Sequence, residues 1–450
     1  MSLKSVFKNL NDVNSVLPEL LSVNVHNMME LDWVLWLKSA PKFSTFRVNT
    51  VRVSPKDVVD FLTERLDETA KSRGKERPLV AVHNLLPDCV VVSPWKNVNL
   101  TCKSKEVIVD KYCGQAVLRG SPVFAPGVKG MTYDVLEGTE VSVYVDVSNK
   151  CTKGFTREFI DESKVFVGNG IIKLDRFSLF NQGQLAGTAV EMTDTISQVC
   201  GVKLAPDLGI LQNLPSIVCG HVLKVDGCDS LTVLDMCAAP GNKTTHIAAL
   251  MENKGLVIAI DKTNSKIEKI NDLCQRLSID NVRAFPFNSI DSIDATRQGN
   301  KLTDGPPFPA ESFDRVLLDA PCSGLGQRPL FDHNITVKEL RSFPNLQKQL
   351  FTTAVQHVRV GGFLVYSTCT ITLGENEGLV KWALEKFPQL KLVPAEPRIG
   401  YPSTIESGLS VEECQMVQKF GPPALETPEK DTIGFFIAKF QKISSVATDL

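Results

Sequence analysis

Two cysteines of this chain sit where a thiol could work. Cys322 follows the apolar run DRVLLDA, in the order Asp319-Ala320-Pro321-Cys322-Ser323-Gly324, and Cys369 follows GFLVYST, between Thr368 and Thr370. If both runs are strands of one parallel sheet, both peptides emerge at its carboxyl edge, and two thiols and a carboxylate converge there. Carbon 5 of cytosine is a poor nucleophile that becomes reactive when a thiolate adds to C6 and leaves enamine character at C5. A carboxyl group able to hydrogen-bond or protonate N3 eases that addition, a task for Asp319. A free cysteine has a pKa of about 8.5, so the attacking thiol also needs a neighbour that favours the thiolate. Lys243, at the start of a helix reached from the same edge, supplies such a charge, and the helix N-terminus acts in the same direction. A single free cysteine is most often a small buried hydrophobe. Two of them, each at a strand end and one inside DAPCSG, fit that reading poorly.

The remaining piece of the edge is a small-residue turn. LTVLDMCAAPGNKTTHIAAL reads as apolar strand, turn and helix, so Cys237, Ala238, Ala239, Pro240, Gly241, Asn242 and Lys243 lie beside helix N-terminal amides. About 25 residues on, LVIAID ends in Asp261, whose carboxylate can accept from a ribose diol, as on the second strand of nucleotide-binding folds. A turn without a ligand is the plainer reading of the loop alone, and the acidic strand end favours a cofactor containing a nucleoside. The loop matches neither GxGxxG nor GxxxxGKT, so dinucleotide and P-loop readings are weak.

An α/β layer must hold these pieces. From about Pro206 onward, LTVLDM, LVIAID, DRVLLDA and GFLVYST alternate with helical stretches, the pattern of a mostly parallel sheet. Upstream, FRVNTVRV (46–53) predicts a strand, and Ser54-Pro55 with Asp57 and the spacing Val58, Val59, Leu62, Leu66 predicts a capped helix. DETAKSRGKERP (67–78) has no apolar face and reads as a solvated loop. Beyond residue 106 the texture changes to short β-rich runs between glycines: KEVIVD, AVLRG, PVFAP, VSVYVDV and KVFVGNG. A small all-β barrel or sandwich is expected there. The domains expected are an N-terminal lobe over 1–105, a β domain over 106–205 and an α/β domain over 206–450.

Lys and Arg total 49 against 51 Asp and Glu, so no global field draws the chain to a polyanion and any basic surface must be local. The 12 cysteines form no CxxC pair and no tight Cys/His cluster, which argues against a structural zinc site and for free thiols in a reducing compartment. No metal is expected. The N-terminus lacks a basic leader followed by an apolar run, and no stretch approaches the roughly 18 apolar residues of a membrane span. A cytoplasmic protein without a membrane partner is expected.

Through CAAPGNKT, LLDAPCSG and YSTCT, in that order, the chain resembles the Sun-domain family of RNA cytosine-C5 methyltransferases. The likeness covers nearly the whole chain: FRVNTVRV is similar to the family's N-terminal RNA-binding lobe, and GLVKWALEKFP with TIGFFIAKF to its closing helix and hairpin. The β-rich block, with CGQAVLRGSPVFAPGV and KVFVGNG, resembles a PUA domain inserted between lobe and core. That insertion marks the branch of the family that methylates a tRNA cytosine in the acceptor stem near the CCA end.

The resemblance implies a class I, Rossmann-like methyltransferase core that uses S-adenosyl-L-methionine, with an α+β lobe and an all-β PUA-like insert. It implies Cys369 as the nucleophile, Cys322 assisting product release, Asp319 on N3 of the cytosine and Lys243 ordering the site. The cofactor would lie on residues 237–243, Asp261, Asn288 and Asp319. In the PUA-like block, Arg119, Lys150, Lys153 and Asn169 fall where the family contacts RNA, and Phe124 can stack on a base. tRNA is the expected partner, messenger RNA hairpins a second one, and a monomer the expected state. Two positions depart from the family. Its loop usually reads GGKT where this chain has Gly241-Asn242-Lys243, and an aspartate usually stands where this chain has Asn288 in FPFNSI. Asn tolerates a positive φ better than most residues. Its carbonyl still accepts from an adenine amino group, with the missing charge weakening cofactor binding by about 1 kcal/mol.

Three other readings compete. An RNA-binding protein with an inactive core is motivated by Asn242 and Asn288, and the intact thiol pair speaks against it. A DNA cytosine methyltransferase would place its nucleophile in the Pro-Cys motif, whereas Thr368-Cys369 and the PUA-like block favour RNA. A nucleotide-dependent dehydrogenase is the weakest of the three.

Overall fold

The computed structural model describes residues 35–181, 186–227, 230–294, 301–331, 335–421 and 431–445. The first 34 residues, whose sequence carries only sparse helical signals, lie outside that set.

The lobe begins with β1 (Ser44–Val48), followed by α1 (Pro55–Arg73), β2 (Val80–His83) and β3 (Leu86–Val92). The strand expected over 46–53 ends at Val48, because the chain turns next: the amides of Arg52 and Val53 donate to the Asn49 carbonyl at 2.9 and 3.0 Å. α1 starts as expected, with a capping box between Ser54 and Asp57 and proline in its first turn. It runs on through part of the stretch assigned to a solvated loop and stops at Gly74, which takes the left-handed conformation at φ 60°. Ala70, the last of the buried series Val58, Leu62, Leu66 and Ala70, anchors that extra turn, and one alanine among charges gives little periodic signal. Phe46 and Val48 of β1 join Leu62 and Leu66 in the lobe core. By strand alternation Thr45, Arg47 and Asn49 face the other way.

The next strands are β4 (Glu106–Asp110), β5 (Val123–Phe124), β6 (Val128–Met131), β7 (Glu140–Asp146), β8 (Lys164–Ile172) and β9 (Thr188–Thr195), in the order β5-β9-β8-β7-β4-β6. The all-β expectation needs correcting here. AVLRG belongs to a helix, α2 (Lys111–Leu118), capped by Asp110, whose carboxylate accepts from the Cys113 amide at 2.8 Å. A second short helix, α3 (Arg176–Phe180), precedes β9. A three-residue apolar run cannot separate strand from helix by periodicity, and the Asp110 cap was the overlooked signal. The chain then returns to the lobe as β10 (Gly209–Leu211), which pairs antiparallel with β1.

The α/β half supplies α4 (Leu214–Val222), β11 (Thr232–Asp235), α5 (Asn242–Leu250), β12 (Leu256–Asp261), α6 (Asn264–Leu277), β13 (Val282–Pro286) and β14 (Phe313–Asp319). It continues with α7 (Val337–His357), β15 (Val358–Thr368), α8 (Glu377–Lys386), β16 (Leu390–Val393), β17 (Gln418–Phe420) and β18 (Phe435–Lys442). The sheet order is β13-β12-β11-β14-β15-β18-β16, with β17 also on β18. β11 to β15 run parallel, and β18 is antiparallel to its neighbours. Both faces are covered by apolar layers, one with Ile217, Ile247 and Ile270, the other with Phe351, Leu379 and Val380. Such burial explains why these strands read as continuous apolar runs rather than alternating ones. This is the Rossmann-like, mostly parallel sheet expected. Among the described residues no helix is long and apolar enough to cross a membrane.

Candidate active site

β14 and β15 are adjacent and in register, with Asp319 opposite Ser367, so the loops that follow them leave the sheet side by side. The Sγ atoms of Cys322 and Cys369 are 3.3 Å apart. The two loops are tied together: the Gly326 amide donates to the Cys369 carbonyl at 3.0 Å, and the Ser323 and Thr370 hydroxyls lie 2.8 Å apart. Buried Glu375 braces both, accepting from the Ser323 amide (2.9 Å), the Gln347 side chain (2.9 Å) and the Thr372 hydroxyl (2.7 Å). Asn376 accepts from the Thr368 hydroxyl at 2.6 Å and donates to the Thr370 carbonyl at 3.1 Å. Glu375 and Asn376 escaped sequence reasoning, because a polar run after a strand reads as solvated loop. Its position just beyond YSTCT was the only clue.

The two thiols differ in acidity. The hydrogen bond from Cys322 is the largest influence on Cys369, whose pKa is lowered to about 7 despite burial and the nearby Asp319. Gln327 and, more weakly, Lys243 act in the same direction. Cys322 is raised well above the ordinary thiol value by the same hydrogen bond and by burial. The shared hydrogen bond thus makes Cys369 the more acidic of the two thiols and Cys322 the less acidic.

Lys243 departs from its expected part as the chief support of that thiolate. Its ammonium sits 2.6 Å from one oxygen of Asp319, and Ser367 donates to the other oxygen at 2.7 Å. Burial works against the Lys243 charge, yet Asp319, Cys219 and Cys369 outweigh it and hold the ammonium above the usual lysine value. With donors on both oxygens, Asp319 is kept as an acceptor. Ser367 and Gln327 are further residues missed in the sequence: Ser367 stands inside YSTCT but was given no role there, and Gln327 stands in no distinctive pattern.

The turn after β11 lies at the same edge. The amide of Ala239 donates to Asp261 at 3.0 Å, that of Ala238 to the Ile260 carbonyl at 3.1 Å, and that of Gly241 to the Ala238 carbonyl at 2.8 Å. Asp261 also accepts from the Lys262 amide and from Lys266 Nζ, both at 2.7 Å and both on Oδ1, so Oδ2, which takes only the Ala239 amide, keeps one acceptor position for a hydroxyl donor. Gly241 takes the left-handed conformation at φ 103° and caps α5. Asn242, expected to exploit a positive φ, is instead the first helical residue, and glycine alone meets the conformational demand. Asn288 donates to Asp291 at 2.6 Å, while its own Oδ1 is buried with no partner. An unpartnered buried acceptor at this edge fits an incoming amino group. Burial pushes the Cys237 thiol up and raises the Asp235 carboxyl to about 7, so neither contributes charge to the site readily.

The residues expected to meet RNA divide. Arg119, Phe124, Lys150 and Lys153 are exposed, Lys150 in an ion pair with Asp161 at 2.7 Å. Asn169 is 2% exposed and its amide is fully engaged: it accepts from Ser142 at 2.8 Å and donates to the Asn99 and Thr101 carbonyls at 3.1 and 2.9 Å. It is a brace inside the fold and not an RNA contact. A cavity of about 470 Å³ lies between α1 and β9, lined by Phe61, Arg73, Trp95 and Lys203 among others. Neither thiol lines it, so chemistry rather than concavity marks the site. The fold also gathers Asp88, His221 and His246, which the spacing did not reveal. Each ring Nε2 stands 2.7 Å from one carboxylate oxygen, hydrogen bonds that join β3 to α4 and α5.

Comparison with known proteins agrees with this geometry. Residues 222–441 match the family described as 16S rRNA methyltransferase RsmB/F. The mouse tRNA (cytosine(72)-C(5))-methyltransferase NSUN6 is 42% identical over 92% of this chain and 90% of its own length, and the human protein of the same name is 43% identical over 91% and 90%. The crystal structure of NSun6 from Pyrococcus horikoshii with SFG superposes with a TM-score of 0.71 at 29% identity, covering 92% of this chain and 94% of that one. Fold, thiol pair and relatives agree, and the chain belongs to the RsmB/F, Sun-domain family of S-adenosylmethionine-dependent RNA cytosine-C5 methyltransferases.

Proposed function

We propose that this enzyme methylates C5 of a cytosine in the tRNA acceptor stem near the CCA end, through a covalent bond between Cys369 and C6. The observation that carries the mechanism is the pair of sulfur atoms 3.3 Å apart at the sheet edge where Lys243 meets Asp319. The names of the mammalian relatives support the choice of tRNA.

The Cys369 thiolate adds to C6, and the C5=C6 π electrons move toward N3, which takes up a proton that the Lys243 ammonium passes on through Asp319. Asp319, kept as an acceptor by Lys243 and Ser367, receives that N3–H. C5, now enamine-like, forms the new carbon–carbon bond. S-adenosyl-L-methionine supplies the methyl group when bound, held by Asp261, the partnerless Oδ1 of Asn288 and the amides at the start of α5. Once Cys369 is a thioether it carries no charge, and the largest influence holding Cys322 protonated is gone. Cys322 then passes its proton to solvent, takes the C5 hydrogen as base, and the electrons of that C–H bond reform C5=C6 while Cys369 leaves as thiolate and N3 returns its proton through Asp319 to Lys243. One thiol must be ionised first and the other later, which is why the site needs two.

The sheet of residues 106–195 acts as a PUA-like RNA-binding domain, presenting Arg119, Phe124, Lys150 and Lys153. Base stacking and shape carry recognition, because the chain has no net basic excess. The eleven described cysteines are all free, in keeping with a cytoplasmic enzyme. The working form is a monomer, and messenger RNA hairpins are a second substrate class.

Bisulfite sequencing of tRNA incubated with the protein and S-adenosylmethionine tests the reading. One protected cytosine in the acceptor stem is expected. Protection elsewhere in tRNA, or of a hairpin alone, overturns the choice of substrate.

A further inference from the structure

Arg47 is among the largest side chains the fold buries, 2% exposed, and it belongs to β1 of the lobe rather than to the α/β core. Its guanidinium reaches out of the lobe. One terminal nitrogen donates to the Asn242 carbonyl and the other to the Thr245 hydroxyl at 2.9 Å. That hydroxyl donates in turn to the Gly241 carbonyl at 2.8 Å. All of these partners lie where the small-residue turn passes into α5, immediately beside Lys243.

A guanidinium kept from water is costly unless its hydrogen bonds are made. Burial disfavours its charge, and Asp88 offsets part of that through space. The inward face of β1 is otherwise a row of modest donors: Thr45 to the Gln212 carbonyl at 2.6 Å, and Asn49 to the Leu277 carbonyl, at the end of α6, at 3.0 Å. The first stays within the lobe sheet, beside β10, and only the second reaches the α/β half. Arg47 is the member of the row that grips the turn, and it does so with a planar fork able to fix two groups at once. A second hold comes from Asp88 on β3, bonded at 2.7 Å to His246 in the second turn of α5.

We propose that Arg47 is a positioning residue for the methyl-donor loop, setting the peptide planes of Gly241 and Asn242 from behind. Each peptide is planar, so a carbonyl held in place fixes the following N–H in the opposite direction. The Arg47 bonds thus aim the amides of Asn242 and Lys243 at the sheet edge and keep the Lys243 ammonium on Asp319. The inference rests on the reading of residues 237–243 as the cofactor loop.

The test is calorimetric titration of the full-length protein with S-adenosylmethionine, alongside melting temperatures and steady-state KM for tRNA. Arg47→Met keeps the volume and removes both donors; cofactor Kd should rise about tenfold with KM for tRNA moving less than about twofold, the effect of losing a charge-assisted hydrogen bond beside one ligand only. Arg47→Lys restores the charge and one donor and should recover part of the affinity. Should Arg47→Met fail to fold, Thr245→Val decides: it exchanges the hydroxyl for a methyl of equal size, and a rise of about fivefold in Kd is expected. A folded Arg47→Met or Thr245→Val protein with wild-type cofactor affinity overturns the proposal. So does a parallel loss of cofactor affinity, tRNA KM and melting temperature without recovery in Arg47→Lys. Asp261→Ala separates the two readings: if it too keeps full affinity the assignment of the cofactor loop falls, and if it alone loses affinity only the role of Arg47 falls.

Discussion

Replacing Cys322 by alanine removes the strongest influence on the acidity of Cys369. The Cys369 pKa should move from about 7 to at least the value of about 8.5 of a free cysteine, since the burial that remains acts upward. A shift of about 1.5 units corresponds to about 2 kcal/mol of lost thiolate stabilisation. At pH 7 the ionised fraction falls from about one half to about 3%, a factor of about 16. The more basic thiolate is the better nucleophile, and a Brønsted coefficient of about 0.45 returns about fivefold. The net expectation is that Cys369 of the Cys322→Ala protein reacts with iodoacetamide about threefold more slowly at pH 7, yet about fivefold faster at pH 9.5, where Cys369 is ionised in both proteins. The two pH profiles must cross. Carbamidomethylation of the Cys369 peptide, followed by mass spectrometry from pH 5.5 to 10, measures them. Because the wild-type pKa is depressed, its reactivity is present above about pH 7 and lost as pH falls through that value. Coincident midpoints in the two proteins would refute the claim that Cys322 tunes the nucleophile.

Other outcomes follow from single contacts. Asn288→Asp sets a carboxylate against Asp291, 2.6 Å from the present amide nitrogen, and should weaken S-adenosylmethionine binding about fivefold by calorimetry, with Asn288→Asp/Asp291→Asn recovering it; tighter binding in the single variant would contradict this. His357 is wholly buried and pushed down to about 3 by burial and then Lys442, whereas an unfolded histidine binds its proton near 6.5. Its contribution is therefore present above about pH 6.5 and fades below it, a loss of about 1.4 kcal/mol at pH 5.5. Denaturant melts at pH 7.5 and 5.5 should show that loss, and His357→Phe, placed among Phe308 and Phe313, should remove it. On the 106–195 sheet, Phe124→Ala and Lys153→Glu should raise KM for tRNA without changing cofactor Kd, and Lys153→Glu should lower the salt slope of binding by about one. Asn169→Ala should instead lower the melting temperature.

The sequence was most legible where one residue type answers one physical demand. Apolar runs ending in Asp261, Asp319 and Thr368 could only be buried strands with chemistry at their tips, and their order along one edge follows from parallel pairing. It was least legible where long-range neighbours decide. Asn169 reads as a polar residue on a β domain, and only the approach of residues 99 to 101 shows that its amide is taken. Lys243 beside a cysteine motif suggests a thiolate partner, but Asp319, 76 positions away, claims its charge. Asn288 looks like a weakened aspartate until Asp291 is seen to occupy its amide, which turns a substitution that sequence alone makes favourable into an unfavourable one. The helix hidden in AVLRG and the extra turns of α1 were missed for a simpler reason. Short or charge-rich segments carry too few apolar residues to show a period.

The division of labour between the two thiols is the centre of the account, and trapping the covalent complex tests it most directly. Cys322→Ala protein incubated with tRNA and S-adenosylmethionine should form an adduct that survives denaturing electrophoresis, and after nuclease digestion mass spectrometry should find the nucleotide on Cys369. Cys369→Ala protein should form none. An adduct in the Cys369→Ala protein, carried by Cys322, would reverse the roles assigned to the two sulfur atoms.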